Sequence, residues 1–335
     1  WKIVFVSTRD GNSEIYTMDL DGKHQKNITN HPAKDERPYW SPDKKKIIFE
    51  SDRDGNGEIY SMNPDGTGLK NLTRNRKGDD FFPSTGRYNP SPFSPDGKKI
   101  LFGSLREDGG LYTMNADGTN PRRLLTSGGI SGGAWSPDGQ WIVYTGDVPV
   151  SGKDLHVVEA VHVIRKDGTG KRRITPISKS KFTESDNYAT FSPNGKKIVF
   201  ESDRGKTVRG DDSTLHIYVV NTDGTGLRQL TSGSGCRQTQ PRFLPDGKRI
   251  VFVAECLEGK DVHMFIMDIA KGNTKRIEIP GTENSAFAQY IPEKKKILCT
   301  AHVNTTSKVA IFTVDEDGRH PRDLTSPFWS EDPRI

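Results

Sequence analysis

SDRDGNGEIYSMNPDGTGLKNLT, residues 51–73, admits two readings. Asp52, Asp54, Asn56 and Gly57 fall at positions one, three, five and six of a calcium-binding EF-hand loop, with Ile59 at position eight. The same residues also spell a turn between two short strands. An EF-hand needs a bidentate glutamate at position twelve, where this chain has Asn63, and both flanks read as strand rather than helix. The hairpin reading leads, and calcium at Asp52, Asp54 and Asn56 is the secondary expectation.

Self-similarity decides between them. The pattern aromatic–Ser–Pro–Asp–Gly–Lys–Lys–Ile–Val–Phe recurs as WSPDKKKIIF (40–49), FSPDGKKILF (93–102), WSPDGQWIVY (135–144) and FSPNGKKIVF (191–200). FLPDGKRIVF (243–252) and YIPEKKKILC (290–299) are weaker copies, and KIVF (2–5) is one that lacks its front half. Copies continue into a second strand ending mostly in Asp-Gly, such as EIYTMDLDG, EIYSMNPDG and HIYVVNTDG, and most close on a short segment: NIT, NLT, LLT, RIT, QLT or DLT. Stretch 51–73 is thus one hairpin of a repeat, with STRDGNSEIY (7–16) as its sister.

Each unit is four short strands with turn chemistry between them. Ser-Pro-Asp-Gly presets φ at the proline and supplies Asp and Gly for a tight turn, and the later Asp-Gly does the same for the next hairpin. Alternation in the strands predicts half-buried sheets. One such sheet cannot bury both faces alone, so the copies must stack, and a ring of them removes exposed ends. The isoleucine of each unit stands at 3, 47, 100, 142, 198, 250 and 297, which fits seven units. The expected fold is all-β, a seven-bladed β-propeller occupying 1–335 as one domain. Its blades are placed at about 1–29 plus 330–335, 35–73, 88–126, 131–175, 186–231, 238–279 and 285–325. SEDPRI (330–335) matches the first strand DERPYW (35–40), so the C-terminal segment is expected to supply the inner strand of the first blade.

Composition agrees: Gly (34) and Pro (20) are plentiful and only 32% of residues are apolar, as suits many short strands and solvated turns. Net charge is +5, but 49 Lys+Arg and 44 Asp+Glu are interspersed, and many of the lysines recur at one turn of the repeat. A nucleic-acid binder interleaves aromatics with basic residues on one surface, which this sequence lacks, so no nucleic-acid partner is expected. No apolar run is long enough to span a membrane. The chain opens at Trp1 directly in a strand with no signal peptide, and removal of an upstream segment is expected.

The repeat SPDGKKIVF…SDRDGNxEIYxMNxDGTxLxxLT resembles the WD40-like PD40 repeat of TolB-type β-propellers, over essentially the whole chain. Related propellers occur in tricorn protease, the dipeptidyl-peptidase and prolyl-oligopeptidase families, and oligogalacturonate lyases. The TolB resemblance implies a non-catalytic scaffold, periplasmic or secreted in a bacterial envelope, that binds a protein or peptide through its loop face or channel mouth. The alternative is a metal-dependent carbohydrate-active enzyme resembling oligogalacturonate lyase. That alternative needs converging histidines; the eight here show no ligand spacing, although His216 and His263 share a register. A serine hydrolase would need a G-x-S-x-G elbow, and none is present.

Loops on a rigid scaffold are where binding usually resides. Phe81, Phe82 and Tyr88 with Arg87 in one long loop, and Trp329 with Phe328 in another, are expected to form an aromatic patch. The residues just before each inner strand are expected to rim the channel: Glu36, Arg37, Asn89, Asp186, Asn187, Gln238, Asn284, Glu331 and Asp332. Cys236 precedes the inner strand of the sixth blade and Cys256 follows its second strand, so both emerge on one face, where a disulfide between them is feasible. Such a bond implies an oxidising compartment. No cofactor is expected beyond the secondary calcium reading, and the chain is expected to be a monomer.

Overall fold

The structure, a computed structural model, describes all residues except 1, 84–89, 107–108, 127–130, 151–155, 178–184, 205–214, 234, 257–261, 292–293, 304–307, 326–330 and 335. Its strands form seven four-stranded sheets, and the fold class is the seven-bladed β-propeller. Blade 1 is Glu331–Arg334, Lys2–Ser7, Glu14–Asp19 and Lys26–Asn27, so the C-terminal segment does supply its first strand. Blade 2 is Asp35–Trp40, Ile47–Ser51, Glu58–Met62 and Lys70–Asn71, and blade 3 is Asp80–Phe81, Lys99–Ser104, Gly110–Asn115 and Arg122–Thr126. Blade 4 is Ser131–Trp135, Trp141–Val150, His156–Arg165 and Arg172–Arg173, and blade 5 is Asp186–Phe191, Lys197–Ser202, His216–Asn221 and Arg228–Gln229. Blade 6 is Cys236–Phe243, Arg249–Cys256, Val262–Asp268 and Thr274–Arg276, and blade 7 is Thr282–Ile291, Lys296–Val303, Lys308–Asp315 and Arg322–Asp323.

The chain divides into two compact units. One comprises Trp1–Phe82, Ser91–Arg123 and Ile277–Ile335 and holds blades 1, 2, 7 and most of 3. The other comprises Pro83–Pro90 and Leu124–Arg276 and holds blades 4, 5 and 6.

The repeated turns carry the chemistry their residues promise. In blade 2, Ser41 Oγ donates to Asp43 Oδ1 at 2.6 Å and accepts from Lys46 N at 2.9 Å, while Lys44 N donates to Ser41 O at 2.8 Å. Ser94 with Asp96, Ser136 with Asp138 and Ser192 with Asn194 repeat the first of these bonds. The turn ends in a left-handed residue, supplied by glycine at 97, 139 and 195 but by Lys44 here, at φ 59°. The Asp-Gly turn does a second job. A Cβ on Gly66 (φ 92°) would lie 2.4 Å from the carbonyl oxygen of Ile28, so only glycine lets blade 2 close onto the end of blade 1.

Alternation predicted half-buried strands; instead the second strands are buried on both faces, as in Ile47, Ile48 and Phe49. The reason is that the core lies between blades. Val4, Ile15 and Ile28 of blade 1 pack against Trp40, Ile47, Phe49 and Met62 of blade 2. In the other unit Val143, Val161 and Val163 of blade 4 pack against Ile198, Phe200 and Val220 of blade 5.

Blade 3 differs from expectation. Its first strand begins at Asp80, where Asp80 pairs with Ser104 and Phe81 with Gly103, and an isolated bridge joins Phe93 to Ile100. The described first strand of this blade thus starts at Asp80, ahead of the boundary expected at 88. No helix among the described residues is long and apolar enough to cross a membrane.

Candidate functional site

The arginine of Ser-Asp-Arg (51–53) has a role that the loop reading missed. Arg53 Nη2 donates to both carboxylate oxygens of Asp35 at 2.8 Å and Nε donates to Ser51 Oγ at 2.9 Å, with the guanidinium over the rings of Phe49 and Tyr60. Asp35 is fully buried. Blade 3 repeats this with Arg106, Asp80 and Ser104, and blade 5 with Arg204, Asp186 and Ser202. A paired, hydrogen-bonded ion pair is the form in which buried charges are tolerated. Asp186, expected on a channel rim, is therefore corrected: it is 1% exposed and locked to Arg204.

The carboxylates of the opening stretch serve the same hairpin. Asp54 Oδ2 accepts from the Tyr60 hydroxyl at 2.5 Å and from Asn71 at 2.9 Å, bonds that hold its carboxyl below the usual range. Asn56 donates its amide to the carbonyls of Asn75 and Gly78, and Asp52 accepts from the backbone of Lys34. Among the described residues no group of three or more His, Cys, Asp or Glu is placed to hold a metal ion. His216 bonds Gln238 at 2.6 Å instead.

First strands carry a bulge, seen as register shifts at 36–39, 187–190, 239–242 and 283–286, with left-handed Arg37, Tyr188, Gln240 and Asn284. One extra residue reverses which side chains face which way. Gln238 is consequently buried, with Oε1 toward His216 and Nε2 donating to Cys236 O at 2.9 Å, which corrects its placement on the rim. Phe82 is also buried, edge-on to Tyr39 with centroids 5.2 Å apart, so it is core rather than an exposed aromatic. Phe81 lies over Gly103, filling the space that a Cβ there would occupy. Glu36 accepts from Ser13 Oγ at 3.1 Å, Asn187 donates to Glu159 at 3.4 Å, and Asn284 is half-buried. Glu331 and Asp332 lie in the first strand of blade 1. Arg87, Tyr88, Asn89, Phe328 and Trp329 lie outside the described residues.

Two glutamates, the half-buried Glu50 and the buried Glu201, clamp these bulges. Glu50 accepts the Phe82 N–H at 2.6 Å and both of its oxygens reach Arg37 Nη1, at 3.0 and 3.1 Å. Glu201 accepts the Gln240 N–H at 3.0 Å. Burial pushes Glu50 up to about 7 against the pull of Arg37, and Glu201 up to about 8 against the Gln240 N–H and the charge of Arg237.

In the unit holding blades 4 to 6 the bulges of neighbouring blades line a shallow depression: Gly132 and Gly133, then Tyr188 and Thr190, then Gln240 and Arg242. Tyr188 is pushed up to about 12 by burial and the nearby Glu201, against Arg237 and Arg242. Phenol, amide and guanidinium groups recognise hydrogen-bonding partners; none is a nucleophile beside a base. Cys236 and Cys256 are directly opposite in register at the end of blade 6 and are joined by a disulfide. The remaining cysteine, Cys299, is buried and its thiol is pushed up by that burial.

The seven-bladed β-propeller is a class with many uses. Within that class the chain belongs to the TolB beta propeller domain family (PD40), matched over residues 1–84 and 180–335. It is 27% identical over 308 residues to dipeptidyl-peptidase 5 of Porphyromonas gingivalis, covering 87% of this chain and 41% of that protein. It is 30% identical over 170 residues to the uncharacterized protein Atu1656 of Agrobacterium fabrum, covering 48% of this chain and 53% of that protein. The chain thus spans at most about half the length of these curated relatives. Among solved structures, TolB from Acinetobacter baumannii matches with TM-score 0.56 at 17% identity, over 99% of this chain and 66% of the other. Puromycin hydrolase (S511A mutant, complexed with PGG) matches with TM-score 0.72 at 14% identity, over 98% and 52%. At those identities the structures speak to fold alone.

Proposed function

We propose that this chain is a non-catalytic, TolB-like binding propeller that takes an extended protein or peptide segment at the first-strand bulges of blades 5 and 6. The observation that carries this reading is the convergence of Tyr188, Gln240 and Arg242 from two neighbouring blades on one depression. Aromatic and arginine side chains are the usual anchors of protein interfaces. Family membership supports the reading, and the Cys236–Cys256 disulfide supports a periplasmic or secreted location, where such bonds persist. Affinity capture from native envelope extract, in EDTA and calcium arms, tests it. A stoichiometric partner lost on Tyr188→Ala with Arg242→Ala supports binding, whereas no retained protein in either arm refutes it.

A second reading is supported by the 27% identity to dipeptidyl-peptidase 5 over 87% of this chain. In it the same depression receives peptides for a hydrolase. Release of dipeptides from unblocked peptides by the full-length native protein would establish that reading.

A further inference from the structure

The binding reading leaves open which part of the bound segment enters the depression, and this inference rests on that reading. We infer that the depression receives a neutral carbonyl oxygen of the segment at the open bulge of blade 4, where the Tyr144 hydroxyl donates to it.

Tyr144 lies on the second strand of blade 4 and lines the depression with Gly132, Gly133 and Thr145. It is 2% exposed, and its hydroxyl oxygen is buried with no hydrogen-bond partner among the described residues. A buried hydroxyl left without an acceptor is unfavourable, so the site favours one brought from outside. The repeat does not need that hydroxyl: the same position in the other copies is Phe, or Cys at 299. The ring itself is held as its counterparts are, stacked on His162 with centroids 5.3 Å apart, much as Phe49 stacks on Tyr60 at 5.8 Å. Packing thus accounts for the ring and leaves the oxygen unused.

Blade 4 is also the blade whose bulge is open. In blade 2 the left-handed bulge residue is Arg37, with Glu50 on the next strand; in blade 5 it is Tyr188, with Glu201 on the next strand. Blade 4 has Gly132 there, at φ 66°, and Thr145 at the register position of the two glutamates. Neither a bulge side chain nor a clamping carboxylate stands at that point. Glycine in a strand marks a place where another backbone can approach closely. The space within the depression is about 20 Å³, room for one carbonyl oxygen but not for a whole side chain. The blade 4 residues that line it are uncharged, and the lining guanidinium, Arg242, comes from blade 6. A carbonyl needs only the hydrogen bond, whereas a carboxylate there would be a buried charge with no cation of blade 4 to pair with it. A peptide main chain and an Asn or Gln side chain both supply such a carbonyl.

The experiment titrates the intact chain, its tyrosines carbon-13 labelled at Cζ, with acetyl-Gly-Gly-Gly amide for the main chain, propionamide for the side chain and acetate as the charged control. The Tyr144 and Tyr188 NMR resonances are assigned by their loss in Tyr144→Phe and Tyr188→Phe. At least one neutral probe is expected to shift the Tyr144 resonance saturably and to bind more tightly than acetate, and the tighter neutral probe identifies the carbonyl's source. Tyr144→Phe keeps the ring and removes only the hydroxyl. Followed at Tyr188, which lines the same depression, that variant is expected to bind the neutral probe about threefold more weakly or worse, with a urea midpoint equal to or above the parent's. No saturable shift with either neutral probe, tighter binding of acetate, or a loss in the variant smaller than about threefold would each overturn the inference. So would a lowered urea midpoint in Tyr144→Phe, because the protein itself would then supply the hydroxyl's acceptor. The two readings fail separately. A captured partner that binds Tyr144→Phe as tightly as the parent removes this site and leaves the binding propeller. Neutral probes that bind at Tyr144 when no partner is captured do the reverse.

Discussion

Glu201 makes the stability of this protein depend on pH in a direction opposite to that of an ordinary salt-bridged carboxylate. Glu201 is buried, 4% exposed, and that burial pushes its carboxyl from an ordinary value of 4.5 up to about 8. The folded state therefore holds a proton that the unfolded chain releases. The stabilisation is fully present below pH 4.5 and is lost as pH rises through about 8. Between pH 6 and pH 8 stability should fall by about 1.4 kcal/mol per unit at most, or about 2 kcal/mol across the span. Glu201→Gln cannot ionise but keeps a carbonyl oxygen for the Gln240 N–H. In that variant this part of the fall should vanish, leaving the smaller fall from Glu50, whose window closes near pH 7. Urea unfolding followed by tryptophan fluorescence at pH 6, 7 and 8 reads the difference. Equal pH slopes in parent and variant, or a variant less stable than the parent at pH 8, would refute the reasoning.

Three further outcomes follow from the repeat. Asp186→Ala strands the Arg204 guanidinium, whose side chain is 10% exposed, and should lower unfolding free energy by about 3–5 kcal/mol, read from the urea midpoint. Lys44→Gly relieves a left-handed residue at φ 59° and should raise stability by about 1 kcal/mol, whereas Gly66→Ala meets the Ile28 carbonyl at 2.4 Å and should lower it by about 1–3 kcal/mol; thermal melts of both variants check the pair. Replacing both Cys236 and Cys256 by serine opens a loop of sequence separation 20 and should lower stability by about 3 kcal/mol, with the parent matching the variant once reduced.

What was legible in the sequence was local. Ser-Pro-Asp-Gly and Asp-Gly dictate their turns without help from the rest of the chain, so the seven blades could be read from them, and the closing strand at Glu331–Arg334 from the likeness of SEDPRI (330–335) to DERPYW (35–40). The Asp–Arg pairs span about 18 residues or more and were not read, although Ser-x-Arg recurs at 7–9, 51–53, 104–106 and 202–204 and could have flagged them. The start of blade 3 was placed too late because Asp80–Phe81, which pairs with Ser104 and Gly103, carries none of the repeat's motif residues and reads as loop. The candidate site was missed by a residue or two for one physical reason: the bulge turns Gln238 inward and brings Gln240 and Arg242 to the depression, and alternation alone carries no sign of a bulge.

The central claim is that Tyr188 and Arg242 hold a partner, and calorimetric titration of the captured partner into the parent and into the Tyr188→Ala, Arg242→Ala double variant tests it most directly. The account predicts one-to-one binding to the parent and a loss of about 2 kcal/mol or more in the variant, with its urea midpoint unchanged. Equal affinity for both proteins would contradict it.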